Sequence, residues 1–219
     1  MKRRDFLKLS AAAALTGMAA ACGAAPSASA SSAPAASSAA STPASSAASS
    51  AAASSGAGTG RTLVACYSTT GHTAAVAGYI ADATGADLFL LQPVDPYTDE
   101  ELDYNDSGSR VSQEHADPSL QTVELEAVTP EGWADYDTVF VGYPIWWGRA
   151  GWPVNGFVTG NDFPGKRVIP FCTSASSGLG SSAENLAQLA GSGDWQEGMR
   201  FSASASESDV AEWLAGLAL

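Results

Sequence analysis

Six consecutive residues, Ser68-Thr69-Thr70-Gly71-His72-Thr73, place four hydroxyls, a glycine and an imidazole in one short turn. A nearly unbroken apolar run, residues 62–67, precedes it. Ala75, Val76, Tyr79 and Ile80 follow at helical spacing. A buried strand that passes through such a turn into a helix brings free backbone N–H groups and the positive end of the helix dipole to one point, which suits a phosphate. The same residues also suit a plain strand-to-helix turn in which Ser and Thr only cap the helix. A second group is Tyr143-Pro144-Ile145-Trp146-Trp147-Gly148, directly after Gly142. Connections are normally polar, so three aromatics here point to a wall for a flat aromatic ligand, or to a lid over the domain's own core. A third group, residues 173–180, is small and hydroxyl-rich and contains Thr173, Ser174 and Gly178.

Other chemistries find little support. His72 and His115 are the two histidines and have no metal-ligand spacing. The three cysteines, Cys22, Cys66 and Cys172, form no repeated pattern, so neither a zinc site nor a disulfide framework is expected, and Cys66 and Cys172 read as buried thiols. No Gly-x-Ser-x-Gly, His-Glu-x-x-His or Gly-x-x-x-x-Gly-Lys occurs.

The three groups need elements to hold them. Strands are expected at residues 62–67, 86–91, 137–141, 166–171 and, most weakly, 199–203. Helices are expected after the first turn, at 153–160, at 182–189 and at 206–218, where Val210, Trp213, Leu214 and Leu217 share a face. Residues 99–130 form a long acidic insertion, with a helical look at 99–114 broken near Gly108 and an extended piece at 122–128. Strand and helix alternating five times predicts an α/β domain: an open five-stranded parallel sheet with helices on both faces, in which order 2-1-3-4-5 would put the switch between strands one and three. Ligands of such sheets bind beyond the C-terminal strand ends where the strand order reverses, and all three groups follow strands that meet there.

The N-terminus reads as an address. Lys2, Arg3, Arg4 and Lys8 head a short apolar stretch, and residues 1–21 are too weak a run for a membrane span but fit a secretory signal. Arg3-Arg4-Asp5-Phe6-Leu7-Lys8 resembles a twin-arginine export motif. Residues 18–23 resemble a lipobox in which Cys22 is lipidated, with cleavage at an Ala-x-Ala site as the other reading. Residues 22–60 are almost wholly Ala, Ser, Pro, Gly and Thr. They read as a disordered tether with a mean span on the order of 35 Å, leaving residues 61–219 as one domain. Removing residues 1–21 takes away four basic and one acidic residue, which leaves six basic against 22 acidic and a formal charge of −16. That charge argues against nucleic acid and anionic lipid as partners and suits basic ones.

Residues 67–73 resemble the phosphate signature of flavodoxins, with His72 where Asn is commoner. Residues 136–148, Gly165-Lys166 and residues 170–174 resemble the short flavodoxin-like proteins of anaerobic bacteria. The resemblance spans nearly all of 61–219 and implies a flavodoxin-like fold with bound FMN. It implies that Ser68, Thr69, Thr70, Gly71, His72 and Thr73 hold the phosphate. Tyr143, Pro144, Ile145, Trp146, Trp147 and Gly148 would contact the ring system, and Thr173, Ser174 and Gly178 the ribityl chain and ring edge. Residues 174–178 hold fewer glycines than the family's third loop. The function implied is a one-electron carrier outside the cytoplasmic membrane, lipid-anchored at Cys22, serving a redox partner protein or a small-molecule acceptor. An FMN-dependent NAD(P)H:quinone-type oxidoreductase, or a binding module that has lost FMN, are the alternatives on the same fold.

Overall fold

A computed structural model describes residues 60–217 and 219. The expected signal at 1–21, Cys22 and nearly all of the expected tether lie outside the described residues. Seven strands and five α-helices follow in chain order. The apolar run forms β1 (Arg61–Cys66), whose residues 63–66 are all but inaccessible to solvent. Such a strand must be covered on both faces, and it is. Leu63 and Ala65 face one core with Val139, Val141, Val154, Phe157 and Leu186. Val64 and Cys66 face the other with Val76, Ile80, Phe140, Phe171, Val210 and Leu214. Two-residue alternation along the strand divides one apolar run between two cores.

β1 lies between β2 (Asp87–Leu90) and β3 (Tyr136–Trp146), parallel to both. β5 (Arg167–Thr173) pairs parallel with the other edge of β3. The fifth position is shared by β6 (Asp194–Trp195) and β7 (Met199–Phe201), both parallel to β5. Helices α1 (His72–Thr84) and α5 (Glu207–Gly216) cover one face, and α3 (Pro153–Gly160) and α4 (Ser182–Ala190) the other. This is the expected doubly wound sheet with β1 next to β3 at its centre.

Three details depart from expectation. The third strand runs five residues past Val141 and turns back as an antiparallel hairpin with β4 (Arg149–Ala150). The fifth strand breaks over residues 196–198. Gln196 N–H bonds Val168 O at 2.8 Å. By alternation the next β5 residue aimed at that side is Pro170, which has no N–H to continue the ladder. A Cβ on Gly198 would lie 2.6 Å from Pro170 O, so the chain passes close there because residue 198 has no side chain. In α1 the buried face is Thr73, Val76, Ala77 and Ile80, while Ala75 is exposed. The stripe is turned by about one residue from the apolar count because Thr73 is drawn inward.

The insertion is mostly turns. Its helix is only α2 (Arg110–Ala116), started by Ser109, whose Oγ accepts from Ser112 N–H. Residues 122–128 form no strand of the sheet; Leu125 makes one isolated antiparallel bridge to Pro93 and packs into the core. A half-hidden polar cluster anchors α2: Tyr97 Oη donates to Glu114 at 2.6 Å, and Arg110 Nε donates to the same carboxylate at 2.9 Å. Arg110 also lies 4.0 Å over the Tyr97 ring.

Candidate functional site

The turn after β1 enters α1 through Gly71, whose φ of 86° is the left-handed region that favours glycine. No side chain caps this helix and its first turn holds no acidic residue. The first-turn N–H groups therefore lack the partner that a capping residue normally supplies. Ser68 Oγ beneath the turn is buried without a hydrogen-bond partner. Thr73 is buried, and its Oγ1 shares a 2.8 Å hydrogen bond with Thr173 Oγ1. That bond ties the first turn to the loop after β5.

The second group is a hairpin tip. Trp147 (φ 45°) and Gly148 (φ 77°) are the two turn residues between Trp146 and Arg149. Positive φ at both central positions is the mark of a tight type I′ hairpin, for which Asn-Gly is usual and a Trp is costly. The Trp147 ring stacks on His115 of the insertion, 4.3 Å between centroids and 7° between planes. Trp146 is held edge-on by Tyr67, Tyr97 and Trp152, at centroid distances of 5.7, 5.3 and 5.5 Å.

These groups enclose a cavity of about 660 Å³ at the C-terminal ends of β1, β3 and β5. Its lining includes Thr69, Thr70, His72, Pro144, Ile145, Trp146, Trp147, Thr173 and Ser174, all expected from sequence. Ala175, Ser176, Ser177 and Ala203 join them, and so do Leu102, Tyr104 and Val111 of the insertion. The insertion thus supplies one wall. No lining residue carries a carboxylate, an ammonium or a guanidinium, and His72 is the only basic one. Six expected residues do not line it. Ser68, Gly71 and Thr73 belong to the turn that borders it. Gly148 completes the hairpin tip, and Gly178 lies on the exposed far side of the third loop. Tyr143 is fully buried, with its hydroxyl 3.1 Å from Ser182 Oγ. Burial pushes the Tyr143 phenol up and the neighbouring Cys172 thiol up to about 12, so both stay neutral.

Sequence reasoning missed several contributors. Leu102, Tyr104, Val111 and His115 sit in the insertion, whose broken, polar helical pattern marked none of them. Arg200 lies in the weakest strand, and its Nη2 donates to the carbonyls of Ser174 and Ala175 at 2.7 and 3.0 Å. A single arginine in such a strand carries no sequence signal. A second cavity, about 520 Å³, is lined by α3, α4, β4 and residues 118–122 of the insertion.

A doubly wound parallel sheet with a cavity at its switch point, bordered by an uncapped helix N-terminus, defines the open α/β class whose ligand sites lie at that point. The flavodoxin family model matches residues 61–217, and the chain belongs to that family. It is similar to a crystal structure from Bacteroides eggerthii described as a flavoprotein. The two are 38% identical with a TM-score of 0.66, over 73% of this chain and 99% of that one. A similarly described protein from Bacteroides uniformis is 37% identical with a TM-score of 0.66, over 71% and 98% of the two chains. A flavoprotein from Lactobacillus acidophilus, solved in complex with FMN, shares the fold at 18% identity and a TM-score of 0.52, over 71% and 99%. No curated protein matches the chain.

Proposed function

We propose that this flavodoxin-family protein binds FMN in the 660 Å³ cavity and carries electrons outside the cytoplasmic membrane, tethered through Cys22. The observation that carries the reading is the convergence of three separate loops on one uncharged, aromatic-walled cavity that begins at an uncapped helix N-terminus. The residues present fit the group. A phosphate at the Ser68–Thr73 turn would meet N–H groups of the first turn of α1, the Thr69 and Thr70 hydroxyls, and the orphaned Ser68 Oγ. No cation is needed there, since the helix dipole and neutral donors stabilise an anion at this position. The Lactobacillus acidophilus flavoprotein of the same fold, solved in complex with FMN, supports the reading.

FMN supplies the one- and two-electron chemistry when bound. The chain's residues bind and orient it. Trp146 and Trp147 form an apolar wall for the ring system and exclude water from one side. Trp147 at the hairpin tip would border the ring system. Thr173 and the residues after it would hold the ribityl chain and ring edge. The acidic surface disfavours adding negative charge inside and favours encounter with basic redox partners. The twin-arginine-like signal suits export of a folded protein with its cofactor already in place.

One preparation tests the reading. The full-length chain is expressed in a bacterium with twin-arginine export, and membrane and soluble fractions are separated. The expected product is a yellow protein in the membrane fraction with an oxidised-flavin spectrum that dithionite bleaches. A colourless protein that takes up no added FMN would overturn the cofactor. Yellow protein found only in the soluble fraction would overturn the tether. Bleaching by NAD(P)H alone would replace the carrier with an oxidoreductase.

A further inference from the structure

The cavity lining lacks a formal positive charge, yet a guanidinium stands directly behind its third loop. Arg200 lies on β7 and is half-buried. Its Nε donates to Ser174 Oγ at 3.0 Å, and its Nη2 donates to the carbonyls of Ser174 and Ala175 at 2.7 and 3.0 Å. Ser174 N–H bonds Phe201 O at 3.2 Å, and Ser174 Oγ donates to Ser177 O. The loop is therefore held against β7 by its backbone and by one forked cation.

A trans peptide places its N–H opposite its C=O. The two carbonyls on Arg200 belong to the peptides whose N–H groups are those of Ala175 and Ser176. Those N–H groups must face away from the guanidinium. Ala175 and Ser176 line the cavity, while Arg200 does not. Residues 174–177 contain no glycine, so backbone freedom does not by itself select this arrangement. The arginine fork selects it, because its fixed geometry suits two adjacent acceptors.

We propose that Arg200 is a positioning residue for the flavin. By drawing back the Ser174 and Ala175 carbonyls, it presents the N–H groups of Ala175 and Ser176 to the electron-rich pyrimidine edge. It thereby tightens FMN binding and makes the bound flavin easier to reduce. The proposal rests on the FMN reading above. It also opposes the protein's general field: in a chain of strongly negative charge, this cation behind the third loop stands where the cofactor would gain electron density.

The test compares the wild-type protein with Arg200→Met and Arg200→Lys. In the ligand-free protein, exchange of the Ser174 amide hydrogen is expected to quicken about tenfold in Arg200→Met, since the three charge-assisted bonds holding the loop are lost. The FMN Kd is expected to rise about tenfold and the midpoint potential of the bound flavin to fall. Arg200→Lys keeps the charge but not the fork. It is expected to lose affinity similarly with a smaller fall in potential, and it serves where the Met variant folds poorly by circular dichroism. An unchanged potential in both variants, even with faster Ser174 exchange, would make Arg200 a structural tie only and overturn the proposal. FMN uptake by the wild type with an unchanged Kd in Arg200→Met would overturn it as well. No FMN uptake by the wild type would instead overturn the function on which it rests.

Discussion

Ser68 is a buried hydroxyl with no partner in a turn whose helix has no cap. An unsatisfied buried hydroxyl costs stability, so its position suggests service to a ligand. Ser68→Ala is expected to leave the ligand-free protein as stable or more stable by up to about 1 kcal/mol, while FMN affinity falls roughly fivefold. Urea unfolding of the ligand-free variant and an FMN titration give the two signs. Loss of stability with unchanged affinity would make Ser68 an ordinary turn residue. Thr73 is a contrasting case. It also sits in the phosphate-type motif, but its hydroxyl is spent on Thr173 and it is better described as a brace between two loops.

The hairpin between β3 and β4 is the element that a sequence reading took for a loop. Residues 142–146 continue the ladder with β5 as far as Pro144 and then pair with β4. The tip places Trp147 in the left-handed region, the one such non-glycine among the described residues. That conformation costs a tryptophan about 1 kcal/mol. The stack on His115 returns a similar amount, in the range of about 0.5–1.5 kcal/mol for an aromatic pair. Trp147→Gly removes both and should change unfolding stability by less than about 1 kcal/mol. FMN affinity should fall about tenfold as the cavity loses a wall. A strongly destabilised variant with normal FMN binding would show that Trp147 serves the fold and not the site. The insertion earns its place here, since α2 carries the His115 ring and the Glu114–Arg110–Tyr97 cluster fixes α2.

At the scale of the molecule, two cores on the two faces of the sheet bury both described thiols and two key phenols. Burial pushes Cys66 and Cys172 up to about 12 from an ordinary 9.0, and it raises Tyr67 and Tyr143 as well. The folded state keeps protons that the unfolded chain releases above about pH 9. Their contribution to stability is fully present below that pH and is lost as pH rises toward about 12. Lys166 runs the other way: burial beneath Trp133 lowers it, so its contribution increases as pH approaches 10.5 from below. Two thiols and two phenols outnumber one lysine. Urea midpoints should hold level near neutrality and fall steadily above about pH 9. A midpoint that rises through that window would show that the lysine dominates.

Much of this protein was legible in its residues. The Leu63–Cys66 run announced a strand buried on both faces because only a covered parallel strand can be apolar at every position. Repeating strand and helix pointed to the class, and the three loops were recognisable because Gly71, the paired tryptophans and the run of serines are unusual for plain connections. These are local signals, set by what a backbone can do with a few neighbouring side chains. Tertiary structure alone decided the rest. The break opposite Pro170 depends on which side of β5 faces the fifth strand. Arg200 reaches the third loop only because β7 pairs beside it, and His115 meets Trp147 only because the insertion folds back across the sheet's end. Such contacts join residues about 25 to 30 or more positions apart, and no local propensity records which distant side chain will arrive.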